Sequence, residues 1–172
     1  MLDTRRVLKI LHEVSSSGII GALAAHIVLL SVASTTQMLE YAAVRRGIEA
    51  ITRYVLLPSL AVVLISGLLS IAVHRPFHSA GWAWLKLALG IAMFEGTLGA
   101  VNATASEASA LAAKVVAGEA PLSSMDDVLR HEWGGLWFIL FLSIVNIVLG
   151  VWRPRLSRRK PDEPAVANEL GS

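Results

Sequence analysis

Two histidines in the first long apolar stretch, Val7 to Val32, are the residues of this chain best placed to do chemistry. His12 and His26 are fourteen positions apart. At ~100° per residue this spacing is about 40° short of four helical turns, so a helix would carry both imidazoles on one face, ~21 Å apart along its axis. Ionisable side chains at membrane depth are costly and usually functional. His12 is either a metal ligand or an interfacial side chain, and His26 is either a metal ligand or a neutral imidazole bonded to a neighbouring helix.

Three further polar residues lie near or inside later apolar stretches: Lys86, Glu95 and His131. Lys86 is expected ~9 Å inside the third stretch, where it either snorkels to lipid headgroups beside Trp82 or acts at a site. Glu95 follows nine residues later, about 180° round the helix, so the two cannot pair within one helix. Glu95 lies at the depth of His26, which predicts either a protonated acid or a pair with that histidine.

Counting helical rise from the predicted span boundaries sorts the polar side chains into two layers. The inner layer contains His12, Lys86 and Asn146, and the outer layer contains His26 and Glu95. Two layers stacked across a four-helix bundle suit one or two b-type haems, whose iron takes axial imidazoles. The predicted metal ligands are His12 and His26, the cofactor-binding set adds Lys86 and His131, and the predicted catalytic residues are Lys86 and Glu95.

The apolar stretches that would hold these residues predict a membrane protein. Of 172 residues, 55% are hydrophobic and 16% are charged, and the mean hydropathy is +0.62. A soluble domain would carry more charge and shorter apolar runs. We predict an all-α bundle of four transmembrane helices within residues 1–154. The expected spans are 7–32, 54–73, 80–101 and 133–152.

The connections carry weaker signals. Residues 33–53 predict a helical extension with a break near Gly47, and Pro58 is tolerated in the first turns of the second span. Residues 102–119 predict a surface helix followed by a turn at Pro121. Ser124 before two aspartates predicts the start of the last helix. Residues 155–172 are basic at first and then polar, which predicts a disordered tail.

The distribution of charge predicts topology. Four spans put both termini on one side, and Lys and Arg are more numerous there, which favours cytoplasmic termini in a bacterial inner membrane. The first apolar run is longer than the core of a signal peptide and has no convincing cleavage site, so we expect a span rather than a cleaved signal. The sequence pI near 9.3 reflects these flanking cations and does not indicate nucleic-acid binding. The chain has no cysteine, which excludes disulfides, thiolate metal sites and covalently attached c-type haem.

Three short segments resemble CopD-type and HemJ-type bacterial four-helix membrane proteins. Lys9-Ile10-Leu11-His12 resembles the start of their first span, where a histidine occupies that place. The segment Gly81-Trp82-Ala83-Trp84-Leu85-Lys86-Leu87 resembles the HemJ-type Trp-x-x-x-Lys segment, and Val151-Trp152-Arg153-Pro154 is similar to the end of that family's last helix. The likeness covers about residues 6–154.

The resemblance implies a b-type haem bound through His12, with Lys86 in the functional set. A HemJ-type protein would oxidise protoporphyrinogen IX, and a CopD-type protein would handle copper. The chain departs from the HemJ pattern at Trp84, where that pattern has a further histidine. It also lacks cysteines and a methionine cluster, the soft ligands that copper transport uses.

The leading hypothesis is therefore a bilayer-embedded haem b protein that performs electron transfer or a haem-linked oxidation. Its expected partners are a quinone, a porphyrin or a redox protein, or a second copy in a homodimer. Two rivals stay open: a copper or metal transporter with a path along His12, His26 and Glu95, and a structural subunit of a larger membrane complex that docks through small residues.

Overall fold

A computed structural model describes residues 4–73 and 80–152, and every element in these two ranges is helical. In chain order the elements are α1 (Thr4–Val32), α2 (Met38–Ile51), a first π segment (Thr52–Leu56), α3 (Leu57–Val73), α4 (Gly81–Gly96), a second π segment (Thr97–Asn102), α5 (Ala103–Val116), a short 3₁₀ turn (Leu122–Ser124) and α6 (Met125–Trp152). The histidines His74 and His78 and the basic tail lie outside the described residues.

Within the described residues, four helical stretches are long and apolar enough to cross a membrane. They are Arg6–Val32, Met38–Val73, Gly81–Val116 and Leu122–Trp152. The predicted all-α architecture with four membrane-compatible helices is confirmed. The membrane in question and the cytoplasmic placement of the termini stay predictions.

The second stretch is one continuous helix, and the expected break at Gly47 is wrong. Glycine costs only about 1 kcal/mol in a helix interior, and burial of Tyr41, Ala42 and Ile48 holds α2 in place. The irregularity comes instead at the first π segment, where the N–H of Leu57 bonds to the carbonyl of Thr52. Pro58 follows directly, and because it has no N–H and its ring crowds the preceding turn, the ordinary α-helical bonding is disturbed there.

The third stretch continues through the second π segment into α5, so residues 103–116 are not a separate surface helix. Its alanines Ala105, Ala108 and Ala112 are fully buried. The helix ends in a Schellman motif: Glu119 N–H bonds to Lys114 O at 2.9 Å and Gly118 N–H bonds to Val115 O at 3.1 Å. Gly118 has φ +77°, a conformation that glycine adopts without steric cost.

The last helix begins as the sequence predicts, at Met125 with Asp126 and Asp127 in its first turn. Since α1 begins and α6 ends on the same side, we call that side of the bundle the terminal half and the opposite side the distal half. In the terminal half α1 packs on α3, α3 on α4 and α4 on α6, and in the distal half α2 packs on α5. The four stretches have 27, 36, 36 and 31 residues. At 1.5 Å per residue each is longer than the hydrocarbon core, which is about 30 Å thick, and the two of 36 residues exceed it most.

Candidate functional site in the terminal half of the bundle

A large cavity lies between α1, α3, α4 and α6 in the terminal half. Its volume is ≈ 780 Å³, within the range of about 300–1,000 Å³ that small-molecule sites occupy. We call it the terminal cavity. Most of its lining is apolar, and its polar lining residues are Lys9, His12, Glu13, Ser16, Ser17, Ser70, Lys86, Ser143 and Asn146. The inner-layer residues His12, Lys86 and Asn146 thus line one space.

His12 is half-buried on α1 and is hydrogen-bonded to α3. Its Nδ1 lies 3.0 Å from Ser66 Oγ, and Ser66 Oγ lies 3.1 Å from Val63 O. A hydroxyl has a single proton, so when Ser66 donates to Val63 O, it accepts from His12 Nδ1–H. In that arrangement the lone pair of the neutral ring is on Nε2, which makes no hydrogen bond to another described residue. This is the tautomer that a metal-ligating histidine needs.

Small residues keep the space beside this ring open. A Cβ on Gly67 would lie 3.8 Å from His12 Cε1, so glycine leaves this side of the imidazole uncovered. Ala83, Gly90 and Gly150 also line the cavity. A flat ligand could therefore approach the helix backbones closely.

Lys86 and Asn146 add polar groups to the same wall. A Cβ on Gly150 would lie 2.7 Å from Lys86 Nζ, so the ammonium rests in the space that glycine leaves on α6. Asn146 Nδ2 donates to the sulphur of Met93 at 3.8 Å, and Asn146 Oδ1 is buried without a partner among the described residues. The cavity therefore combines an imidazole, a primary ammonium, an amide and a thioether.

His26 belongs to a different, closed network in the distal half. Its Nε2 lies 2.9 Å from Glu132 Oε1 and its Nδ1 lies 3.2 Å from Thr52 Oγ1. Arg45 Nη2 donates to Glu132 Oε2 at 2.5 Å, and all four side chains are fully buried. Ligation by His26 would require one of its two hydrogen bonds to break, and the expected pair with Glu95 is replaced by the bond to Glu132.

The sequence reasoning missed Arg45 and Glu132, although helical spacing could have found both. Tyr41, Arg45, Ile48 and Thr52 recur at intervals of four and three residues, which is one face of a helix, and all four are buried. Glu132 likewise lies four residues after Val128 and three before Gly135, on the buried face of α6. The topology argument counted Arg45 only as one of the flanking cations, together with its neighbour Arg46, which is exposed.

Glu95 and His131 lie outside both clusters. Glu95 is exposed on α4 and does not line the terminal cavity. His131 is exposed on α6, and its Nδ1 donates to Asp127 O at 2.8 Å, a local bond within one turn. The structure therefore does not bring either residue to His12.

Comparison of the chain with protein-family models, with curated proteins and with solved structures found no match. The resemblance to CopD-type and HemJ-type proteins stays a prediction. Among the described residues, no three His, Asp or Glu side chains are grouped as they would be around a bare metal ion. The terminal cavity, where His12 is the one imidazole among the described lining residues, is the arrangement left to explain.

Proposed function

We propose that this protein is a membrane haem protein that binds b-type haem in the terminal cavity through His12 and takes part in electron transfer. The observation that carries the proposal is the placement of His12, whose Nδ1 lies 3.0 Å from Ser66 Oγ and which lines a cavity of ≈ 780 Å³. Axial imidazole is the usual protein ligand of such a haem, and a second partner commonly holds its other ring nitrogen.

The rest of the cavity suits an amphipathic, dianionic ring. Its lining is mostly apolar, with glycine and alanine on three of the four helices. Lys9 and Lys86 line the same space, and ammonium groups pair with carboxylates such as haem propionates. The donor set and the size therefore fit the group.

Each residue would have a separate task. A bound haem would supply one-electron redox chemistry. His12 would ligate, and Ser66 would hold the imidazole in its ligating tautomer and orientation. Lys86 and Lys9 would pair with the acidic groups of the ligand. The apolar lining would exclude water and so lower the local dielectric constant.

Absorption spectroscopy tests the proposal. Protein purified from haem-replete cells, or apoprotein titrated with hemin, is expected to show a Soret band and, after dithionite reduction, the sharp α and β bands of a b-type haem. Ser66→Ala should weaken hemin binding by about 10–100-fold, the usual effect of removing the hydrogen-bond partner of a ligating histidine. Ser31→Ala is the matched control, because Ser31 is exposed on the same helix as His12 and bonds only to Ile27 O.

Colourless protein that gains no band with hemin would refute the proposal. Mass spectrometry of the extracted ligand separates the alternatives: a metal-free porphyrin would favour the porphyrin-oxidation function that the HemJ resemblance implies. Copper transport is less favoured, because the described residues that line the terminal cavity offer one imidazole and one thioether, Met93, and the chain has no cysteine.

A further inference from the structure

The residues that line the terminal cavity differ in exposure according to their helix. Those on α3 and α4 are buried or half-buried, apart from Val73 at the end of α3. The exposed lining residues on the other two helices are Lys9, Glu13, Ser17 and Ile20 on α1, and Ile147 and Val151 on α6. We call these six residues the α1–α6 seam. The cavity therefore meets its surroundings mainly along this seam.

The packing of the helices explains why the wall is open there. α1 packs along α3, α3 along α4 and α4 along α6, whereas α1 and α6 meet at few points. In the distal half the bond between His26 and Glu132, at 2.9 Å, joins α1 to α6. His12 lies ~21 Å along α1 from that bond, so the two helices are tied at one end of the bundle only.

On α1 the residues of the seam become more polar from the interior of the bundle toward its terminal end. Ile20, 55% exposed, lies deepest on α1, and Ser17, Glu13 and Lys9 follow in turn toward the start of the helix. Inside the cavity, Lys86 lies nearer the terminal end of α4 than the buried Met93 does. The charged lining residues thus lie toward the outer part, although Val151 on α6 is an apolar member of the seam there. This order matches an amphiphile whose headgroup stays near the terminal end.

We propose that the α1–α6 seam is a lateral passage through which an amphiphile with an anionic headgroup moves from the bilayer into the terminal cavity. Lys9 and Lys86 favour an anionic headgroup over a cationic one, and Glu13 at the mouth opposes them by one charge. The inference rests on the proposed function only in taking the terminal cavity as the binding site, and it does not require that the ligand be haem.

Because the chain has no cysteine, a single introduced thiol can report passage. Ser143→Cys places a thiol at a buried lining position on α6, and Ser70→Cys places a second reporter on α3. Each protein is reconstituted in phosphatidylcholine vesicles and labelled with a long-chain alkyl maleimide that carries a carboxylate. Labelling by a water-soluble sulfonated maleimide, and by a cationic maleimide of equal chain length, is measured in parallel.

Bulky substitutions then narrow the seam. Ile147→Trp and Ile20→Trp are expected to slow labelling by the anionic amphiphile by about tenfold or more, as a modest added barrier does. Two controls match them closely. Ile144, 53% exposed against 52% for Ile147, and Ile10, 55% exposed like Ile20, have the same side chain on the same helices but do not line the cavity. Ile144→Trp and Ile10→Trp should leave the rate within about twofold.

Equal labelling rates in seam and control variants would overturn the passage. So would faster labelling by the water-soluble reagent that no seam variant slows, since this would mean access from the aqueous side. A cationic amphiphile that labels as fast as the anionic one would refute the headgroup assignment. Wild-type protein that binds no hemin but shows the expected labelling pattern would refute the haem proposal alone, and hemin binding without the pattern would refute the passage alone.

Discussion

Removing the carboxylate of Glu132 is expected to destabilise the bundle strongly. The side chain is fully buried and accepts from both Arg45 and His26. Arg45 is also fully buried, and its Nε and Nη1 have no partner among the described residues, so Glu132→Leu would leave an uncompensated charge inside the protein. Breaking such a pair costs about 3–5 kcal/mol, and loss of the His26 bond falls within that total.

A double-mutant cycle measures the interaction energy between Arg45 and Glu132 separately from the interactions of either residue with its other neighbours. Arg45→Met alone should cost a similar amount, because it leaves the Glu132 carboxylate with His26 only. The double variant Arg45→Met/Glu132→Leu replaces the pair with apolar groups, a change that is often neutral or stabilising. Its unfolding free energy should therefore lie near the wild-type value. Since each single variant costs about 3–5 kcal/mol, the coupling energy between the two sites should be about 6 kcal/mol or more.

The assay is denaturant-induced unfolding in mixed lipid–detergent micelles, followed by circular dichroism. The pair Arg130–Asp127, 3.5 Å apart with side chains 78% and 83% exposed, is the control, and its removal should cost about 0–1 kcal/mol. Single-variant losses that add within about 0.5 kcal/mol in the double variant would refute the reasoning, since they would mean that the carboxylate and the guanidinium do not compensate each other.

Four glycine substitutions, two of them controls, test other features. Gly118→Ala should lower the unfolding free energy by about 1–2 kcal/mol in the same assay, because the φ of Gly118 is +77°. Gly21→Ala, with open space at its Cβ, should instead raise the unfolding free energy by about 0.5–1 kcal/mol. Equal effects of the two substitutions would contradict the role of Gly118 in the helix C-cap. Gly150→Ala should displace the Lys86 ammonium, which its Cβ would approach to 2.7 Å, and so change the affinity for hemin. A Cβ on Gly134 would meet no atom within 4 Å, so Gly134→Ala should leave the affinity for hemin unchanged. Equal hemin affinities of the Gly150→Ala and Gly134→Ala variants would contradict the placement of Lys86.

The long apolar stretches made the four helices predictable, and helical rise brought His12 and Lys86 to one depth. The helical rise per residue gives the depth of a side chain along its helix, but not the direction in which the side chain faces in the assembled bundle. Glu95 was therefore expected to be either a buried protonated acid or a partner of His26, yet it is exposed on α4. Rotation of each helix about its axis depends on packing with neighbours that are distant in the chain.

The hydrogen-bonded network of His26, Thr52, Arg45 and Glu132 in the distal half also depends on contacts that the sequence does not reveal. Arg45 was interpreted by its charge alone, and the helical spacing that buries it was not considered. The bond from Glu132 to His26 joins residues 106 positions apart, so no local pattern specifies it. The π segments were not expected either, although Pro58 marks the place where ordinary helical bonding fails on its N-terminal side.

The central claim is that His12 is a haem ligand, and replacement of its side chain by a free ligand tests this most directly. His12→Gly apoprotein, titrated with hemin, should lose the reduced α and β bands and regain them on addition of imidazole, while His131→Gly should keep the wild-type spectrum without imidazole. A His12→Gly protein that binds hemin with the wild-type spectrum in the absence of imidazole would contradict the account.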